Sequence, residues 1–143
     1  MSNKKFVYVT YIATTAEKVW QALIKGDLTR QWWKSEMVSD WKPGSGWEHI
    51  KDDGNRTVEH IGTVVESIAN KRLVMTWVSP TNAIDKTKHS TVSIDIDTLG
   101  EKLRLTVTHE ELTPEVLKGI SFGWPLVLSS LKSFLETGKP LDF

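Results

Sequence analysis

The sequence has no cysteine, no long apolar segment and no excess charge of either sign, and each absence excludes a class of protein. Without cysteine there can be no disulfide, thiolate metal site or cysteine nucleophile. No run approaches the length of about eighteen apolar residues that a transmembrane helix requires. Eighteen basic and eighteen acidic side chains cancel, so no charged surface favours nucleic acid or an anionic membrane. We therefore expect a cytoplasmic protein that binds neither nucleic acid nor a membrane.

The length of the chain suits one domain. A chain of 143 residues removes roughly 70% of its unfolded surface from water on folding, which allows a substantial core. No internal repeat, low-complexity tract or linker interrupts the sequence. We therefore expect a single domain over residues 1–143.

The first third of the chain predicts a strand followed by two short helices. Aromatic and β-branched residues from Phe6 to Ile12 are typical of a strand. Thr14 and Glu17 have the spacing of a capping box for a helix that would end at Gly26. Asp27 would cap a second helix over residues 28–34.

The middle of the chain predicts an antiparallel meander. From residue 36 to residue 110, turn signals such as "KPGSG", "DDGN" and "LGEK" separate runs of residues with a two-residue period. In the clearest run, Val92, Ile94 and Ile96 alternate with polar residues. A sheet with one apolar face is therefore expected.

The C-terminal segment predicts a long helix that covers this sheet. Thr113 and Pro114 are suited to its first turn, and Leu117, Ile120, Trp124, Val127 and Leu131 follow at helical spacing. Pro125 lies inside this pattern and removes a backbone hydrogen bond. The helix should therefore kink there or start afresh near Gly123, and the second arrangement is favoured.

The order and spacing of several segments resemble a known family. These are "VWQAL", "TRQWW", "SDWKPGSGW", "GTVVESIANKRLVMTW", "LRLTVTHEEL" and "GWPLVLSSLKSFLETGKPL". Together they resemble the SRPBCC or START-like superfamily, in the branch named after the activator of the Hsp90 ATPase. The resemblance implies an α+β helix-grip fold. In that fold a curved antiparallel sheet of about seven strands wraps around a long C-terminal α-helix, with two short helices between strands 1 and 2. It also implies an apolar cavity between the sheet and the helix.

Tryptophan is abundant, with seven residues in the chain. Trp41 and Trp47 flank a turn in which Gly44 or Gly46 is expected to adopt a positive φ, and this hairpin should bring the two indoles near one another. Each indole can fill the core or line a cavity. The residues that we expect to contact a ligand are Trp33, Trp47, His60, Trp77, Trp124 and Leu128.

No motif for catalysis, metal binding or cofactor binding is present. The four histidines lack the spacing of metal ligands, and no serine lies in a nucleophile-elbow motif. The sequence "PGSG" leads into a strand, so it is not a phosphate loop. We therefore expect no catalytic residue, no metal and no cofactor.

The principal functional hypothesis is a binding protein for a small hydrophobic ligand. The alternatives are a co-chaperone-like activator of a heat-shock-protein ATPase and an enzyme similar to polyketide cyclases and dehydratases. The sequence is compatible with a homodimer and with a chaperone partner. The direction in which His60, Glu59, Glu66 and Arg104 point would separate these readings, because only a polar group inside a cavity can act on a ligand.

Overall fold

The computed structural model describes residues 4–143 and has the predicted α+β helix-grip architecture. Its elements, in chain order, are β1 (Lys4–Ile12), α1 (Ala16–Ile24), α2 (Gly26–Trp32), β2 (Ser35–Val38), β3 (Gly46–Lys51), β4 (Val58–Ile68), β5 (Arg72–Trp77), β6 (Ser90–Leu99), β7 (Lys102–Leu112) and α3 (Pro114–Thr137). The seven strands form one antiparallel sheet in the order β1-β7-β6-β5-β4-β3-β2. The curved sheet, the two short helices after β1 and the long C-terminal helix are thus confirmed.

The core lies between α3 and the apolar face of the sheet. In β6, Val92, Ile94 and Ile96 are buried, as their alternation with polar residues predicts. Ile94 pairs with Val107 of β7, so that neighbouring strands present their apolar side chains on the same face. Leu131 of α3 belongs to the same cluster. The helix therefore closes the core from one side.

The predicted ends of α1 and α2 were wrong by one or two residues. Thr15, not Thr14, is the N-cap of α1, and its side chain accepts a hydrogen bond from the backbone N–H of Lys18. Gly26 is not a left-handed C-cap, because it opens α2. A side chain there would meet Glu36 of β2, so close approach explains this glycine. Asp27 consequently lies in the first turn and provides no cap.

Helix α3 is continuous through Pro125, which contradicts the predicted new start near Gly123. Pro125 has no N–H to donate to the helix, but tertiary packing compensates for that missing bond. Trp124, Val127 and Leu128 are buried against the sheet on both sides of the proline in the chain. No helix among residues 4–143 is long and apolar enough to cross a membrane.

The turn before β3 has the expected geometry, and the two indoles beside it are anchored to different elements. Gly44 adopts φ +91°, whereas Gly46 begins β3. The indole N–H of Trp41 donates to the carbonyl of Ile24 in α1 over 2.9 Å. The indole N–H of Trp47 donates to the carbonyl of Thr76 in β5 over 2.8 Å, so the two indoles are anchored to different elements.

Candidate functional site

A cavity of about 360 Å³ lies between the N-terminal half of α3 and the sheet. Its wall combines one face of α3 with aromatic residues from α2's end and from strands β3, β4 and β5. The lining residues are Trp33, His49, His60, Trp77, Val116, Gly119, Ile120, Gly123, Trp124 and Val127. Those from α3 recur three and four residues apart, which places them on one side of the helix. Apart from the two histidines, the wall is apolar.

Three tryptophans form a continuous part of this wall. The ring centroid of Trp33 lies 6.3 Å from that of Trp77 and 5.5 Å from that of Trp124. Trp77 and Trp124 are 5.7 Å apart. These separations are those of rings in direct contact. The indoles thus offer a ligand a shared surface, and no ring can be inserted between them.

His49 and His60 form a pair in the same wall. They are directly opposite each other in the β3–β4 ladder, so their side chains lie on one face of the sheet. Their Nδ1 atoms are 3.1 Å apart. Burial lowers the pKa of His49 to about 3, with a contribution from His60, and lowers the pKa of His60 to about 4. Both rings are therefore neutral at pH 7.

His109 lies behind the tryptophans and links α3 to the sheet. Its Nδ1 accepts a hydrogen bond from the indole N–H of Trp124 over 3.1 Å. Its Nε2 is 2.8 Å from the hydroxyl of Ser90, which donates in turn to the carbonyl of Trp77. Because Nδ1 accepts and the hydroxyl proton is engaged, His109 must be the neutral tautomer with hydrogen on Nε2. Burial, together with the charge of His60, lowers its pKa to about 4.

A smaller recess of about 90 Å³ adjoins the cavity and shares His60, Trp77 and Val116 with it. Its other lining residues are more polar: Val78, Ser79, Asn82, Lys88, Ser90 and Thr113. Lys88 is the one lysine or arginine in the two linings. No carboxylate lines either space, so a cationic ligand would find no ion-pair partner there.

Four of the six residues expected to contact a ligand line the cavity together: Trp33, His60, Trp77 and Trp124. The other two lie outside its lining. Trp47 packs behind Trp77, with ring centroids 5.0 Å apart, and Leu128 is buried in the core. The structure thus places the Trp47 ring one layer behind the cavity wall, where the hypothesis had placed it in the wall itself.

Four polar residues were expected to separate the functional hypotheses by the direction in which they point, and of these His60 alone lines the cavity. Glu59 is exposed, Glu66 forms an ion pair with Arg72, and Arg104 forms one with Asp97. Among residues 4–143 no group of three or more potential metal-ligating side chains occurs.

Sequence reasoning missed His49, His109 and the two glycines of α3. One available signal was the repeated "EHI", at residues 48–50 and 59–61. Pairing the two segments as a hairpin would have placed His49 opposite His60. Nothing comparable identified His109, because its partners come from three separate elements.

The cavity between a curved antiparallel sheet and a long C-terminal helix defines a helix-grip protein of the SRPBCC superfamily. The family described as "Activator of Hsp90 ATPase homolog 1-like protein" matches residues 13–136. The chain belongs to this family. No curated protein matches the sequence.

Solved structures with the same fold come from several organisms. The Aha1 dimer from Colwellia psychrerythraea is 23% identical, with a TM-score of 0.78 over 95% of this chain and 98% of that one. An Hsp90 activator from Plasmodium falciparum is 18% identical, with a TM-score of 0.75 over 92% and 95%. CalU16 from Micromonospora echinospora is also 18% identical, with a TM-score of 0.76 over 95% and 78%. At these identities the similarity concerns the fold.

Proposed function

We propose that the protein binds a small, mostly apolar molecule in the cavity between α3 and the sheet. The observation that carries this proposal is the wall of three mutually contacting indoles facing a preformed space of about 360 Å³. Preformed apolar spaces with few polar groups are the usual form of small-molecule sites. Burial of an apolar ligand against these rings would supply the driving force.

The glycines of α3 support the proposal because they keep the cavity open. Gly119 and Gly123 lie one helical turn apart on the cavity face. A Cβ atom at either position would have no neighbouring atom within 4 Å. Glycine inside a helix costs about 1 kcal/mol relative to alanine. The helix thus carries an avoidable loss of stability at the two positions where any side chain would reduce the open space.

The chemistry of the lining narrows the ligand. With no carboxylate in either lining, a cation could contact only the faces of the aromatic rings and would form no ion pair to offset its loss of hydration. The indole N–H of Trp124 already donates to His109 and is not available. A neutral molecule, or one whose anionic end reaches Lys88 in the adjoining recess, suits these surroundings better.

Titration with 2-ethylnaphthalene, followed through the indole N–H signals in a ¹H–¹⁵N NMR spectrum, tests the proposal. Saturable shifts are expected at Trp33, Trp77 and Trp124. Trp20, which lies in the core outside the cavity lining, serves as an internal control. Binding should be lost in Gly123→Leu, whose added side chain occupies the cavity. A wild-type spectrum that stays unchanged up to the solubility limit of the probe would overturn the proposal.

Activation of a heat-shock ATPase is the second candidate, because the family and the Plasmodium relative both carry that description. It would act through an exposed surface and would not need the cavity. Measuring the ATPase rate of an Hsp90 protein with wild type and with Gly123→Leu separates the two functions. Stimulation that survives in Gly123→Leu would assign the activity to the surface.

A further inference from the structure

The hydrogen bond between His49 and His60 joins two like atoms, and this constrains both rings. An Nδ1···Nδ1 distance of 3.1 Å is that of a hydrogen bond, so one nitrogen carries the proton and the other accepts it. A neutral imidazole has one N–H and one bare nitrogen. The two outer nitrogens must therefore differ. Whenever Nε2 of one ring is a donor, Nε2 of the other is an acceptor.

The surroundings of His49 favour one of the two arrangements. Its Nε2 is buried and has no hydrogen-bond partner, and 95% of the residue is removed from solvent, since its relative exposure is 5%. If His49 accepted the shared proton, its own Nε2–H would be a buried donor with no acceptor. Orphaned N–H donors are rarer in proteins than unsatisfied acceptors. His49 therefore donates through Nδ1, and its bare Nε2 is a buried acceptor without a partner.

This arrangement fixes the character of His60. Its Nδ1 accepts from His49, so its hydrogen lies on Nε2. That nitrogen has no hydrogen-bond partner among residues 4–143, and the ring lines both the cavity and the adjoining recess. In the rest of the cavity lining the side-chain donors are indole N–H groups, and that of Trp124 is already engaged by His109.

We propose that the cavity takes a neutral apolar molecule bearing a carbonyl oxygen, and that the Nε2–H of His60 donates a hydrogen bond to that oxygen. His49 acts as a positioning residue that holds His60 in the donating tautomer. This proposal rests on the proposed function, since it assigns the polar contact made by a ligand in the same cavity.

The charges around the pair agree with a neutral ligand. The titratable groups in the two linings are His49, His60 and Lys88, and His109 lies behind them. Burial keeps the pKa of each of these three histidines well below 6.5. No carboxylate in either lining competes for the Nε2–H of His60.

The test compares two probes of the same shape, 2-acetylnaphthalene and 2-ethylnaphthalene, in wild type and in His60→Phe. The ratio of the two dissociation constants within each protein is measured by NMR titration. Dividing the wild-type ratio by the mutant ratio cancels the different solubilities of the probes in water. We expect the preference of wild type for the ketone to be about fivefold greater than that of His60→Phe. An equal preference in both proteins would overturn the inference.

The outcomes also separate this inference from the proposed function. If 2-ethylnaphthalene binds to both proteins and the ketone preference does not change, the cavity binds ligands but His60 does not recognise a carbonyl. If neither probe binds to wild type, the proposed function itself fails. Should His60→Phe not fold, the infrared carbonyl frequency of 2-acetylnaphthalene bound to wild type gives a second test. A frequency below that in hexane is expected, and an unshifted band would contradict the hydrogen bond.

The positioning role of His49 has its own spectroscopic signature. In ¹⁵N-histidine spectra of wild type, His60 should show a protonated Nε2 and an unprotonated Nδ1. His49→Leu should mix the two tautomers and reduce the ketone preference. His49→Asn should restore the single tautomer of His60 and the ketone preference. Its amide nitrogen lies where the imidazole Nδ1 was and can donate to His60. A bare Nε2 on His60 in wild type would overturn the assignment.

Discussion

The carbonyl of Thr76 occupies the space into which a side chain at Gly62 would project. A Cβ atom at position 62 would lie far inside van der Waals contact with that carbonyl and 2.5 Å from Nε1 of Trp47. The absence of a side chain allows the indole N–H of Trp47 to reach the Thr76 carbonyl over 2.8 Å. Trp47 in turn packs against Trp77. The position of one cavity-lining indole thus depends on a glycine in the adjacent strand.

Gly62→Ala should therefore reduce both stability and binding. The methyl group would collide with backbone, which cannot rotate away, so we expect a loss of about 3 kcal/mol or more in the free energy of unfolding. Urea denaturation and a 2-ethylnaphthalene titration would measure the two effects. Gly46→Ala is the matched control, because its methyl group would make only an ordinary 3.8 Å contact. Equal stabilities of the two variants would show that the strands can adjust.

Filling the cavity from α3 should separate stability from binding. Gly123→Ala is expected to raise the free energy of unfolding by roughly 0.5–1 kcal/mol, because alanine favours the helix and the site is open. Gly123→Leu should abolish naphthalene binding while the protein stays folded. Lys118→Leu adds a similar side chain at an exposed position of the same helix and should leave binding intact. Unimpaired binding in Gly123→Leu would place the ligand elsewhere.

Trp124→Phe should disturb His109 specifically. The change removes the N–H that donates to Nδ1 of His109 and leaves a buried acceptor unsatisfied, at a cost of about 1–3 kcal/mol. Nδ1 could then take up a proton without losing a bond, so the pKa of His109 should rise from about 4. An NMR titration of the ring signals would measure this shift. Trp20→Phe, in the core outside the cavity lining, should leave the His109 titration unchanged.

Stability should fall as the pH drops from about 6.5 towards 4. In the unfolded chain a histidine has a pKa of about 6.5, whereas burial holds that of His109 at about 4 in the folded protein. In this window the unfolded state binds more protons, so the free energy of unfolding decreases with decreasing pH. For His109 alone the decrease is on the order of 3 kcal/mol, and His49 and His60 act in the same direction.

Urea denaturation between pH 4 and pH 8 would test this dependence. His109→Phe should show a shallower slope, because one titrating group is gone. Leu131→Ala should lose about 2–5 kcal/mol at every pH, which displaces the curve without changing its slope. If His109→Phe keeps the full wild-type slope, protonation of His109 does not contribute to acid unfolding.

The strands and turns could be predicted from sequence because their signals are local. Alternation in β6 and the glycine turn before β3 depend on neighbouring residues alone. The ends of the helices were harder to predict from the sequence. Gly26 looks like a helix end, yet its role is to let Glu36 approach, which only the packed structure reveals. The continuity of α3 through Pro125 likewise depends on burial of Trp124 and Val127.

Of the residues that line the site, the sequence predicted mainly those of a type that is unusually abundant in the chain. Abundant tryptophan pointed to Trp33, Trp77 and Trp124, which do line the cavity. Composition cannot distinguish an indole at the surface of a cavity from one behind it, so Trp47 was assigned the same role. The environment of His109 depends on Ser90 and Trp124, which are brought together only by the sheet and α3.

The indole wall also makes the cavity optically visible. The centroids of Trp33, Trp77 and Trp124 are separated by 5.5 to 6.3 Å, and Trp47 continues the series at 5.0 Å from Trp77. Transition dipoles at such separations couple, so the folded protein should show exciton-split bands in its circular dichroism. Each pair contributes according to the angle between its rings, and a shift of one ring changes the whole couplet. Circular dichroism of the unlabelled protein should therefore report the binding of a ligand in the cavity.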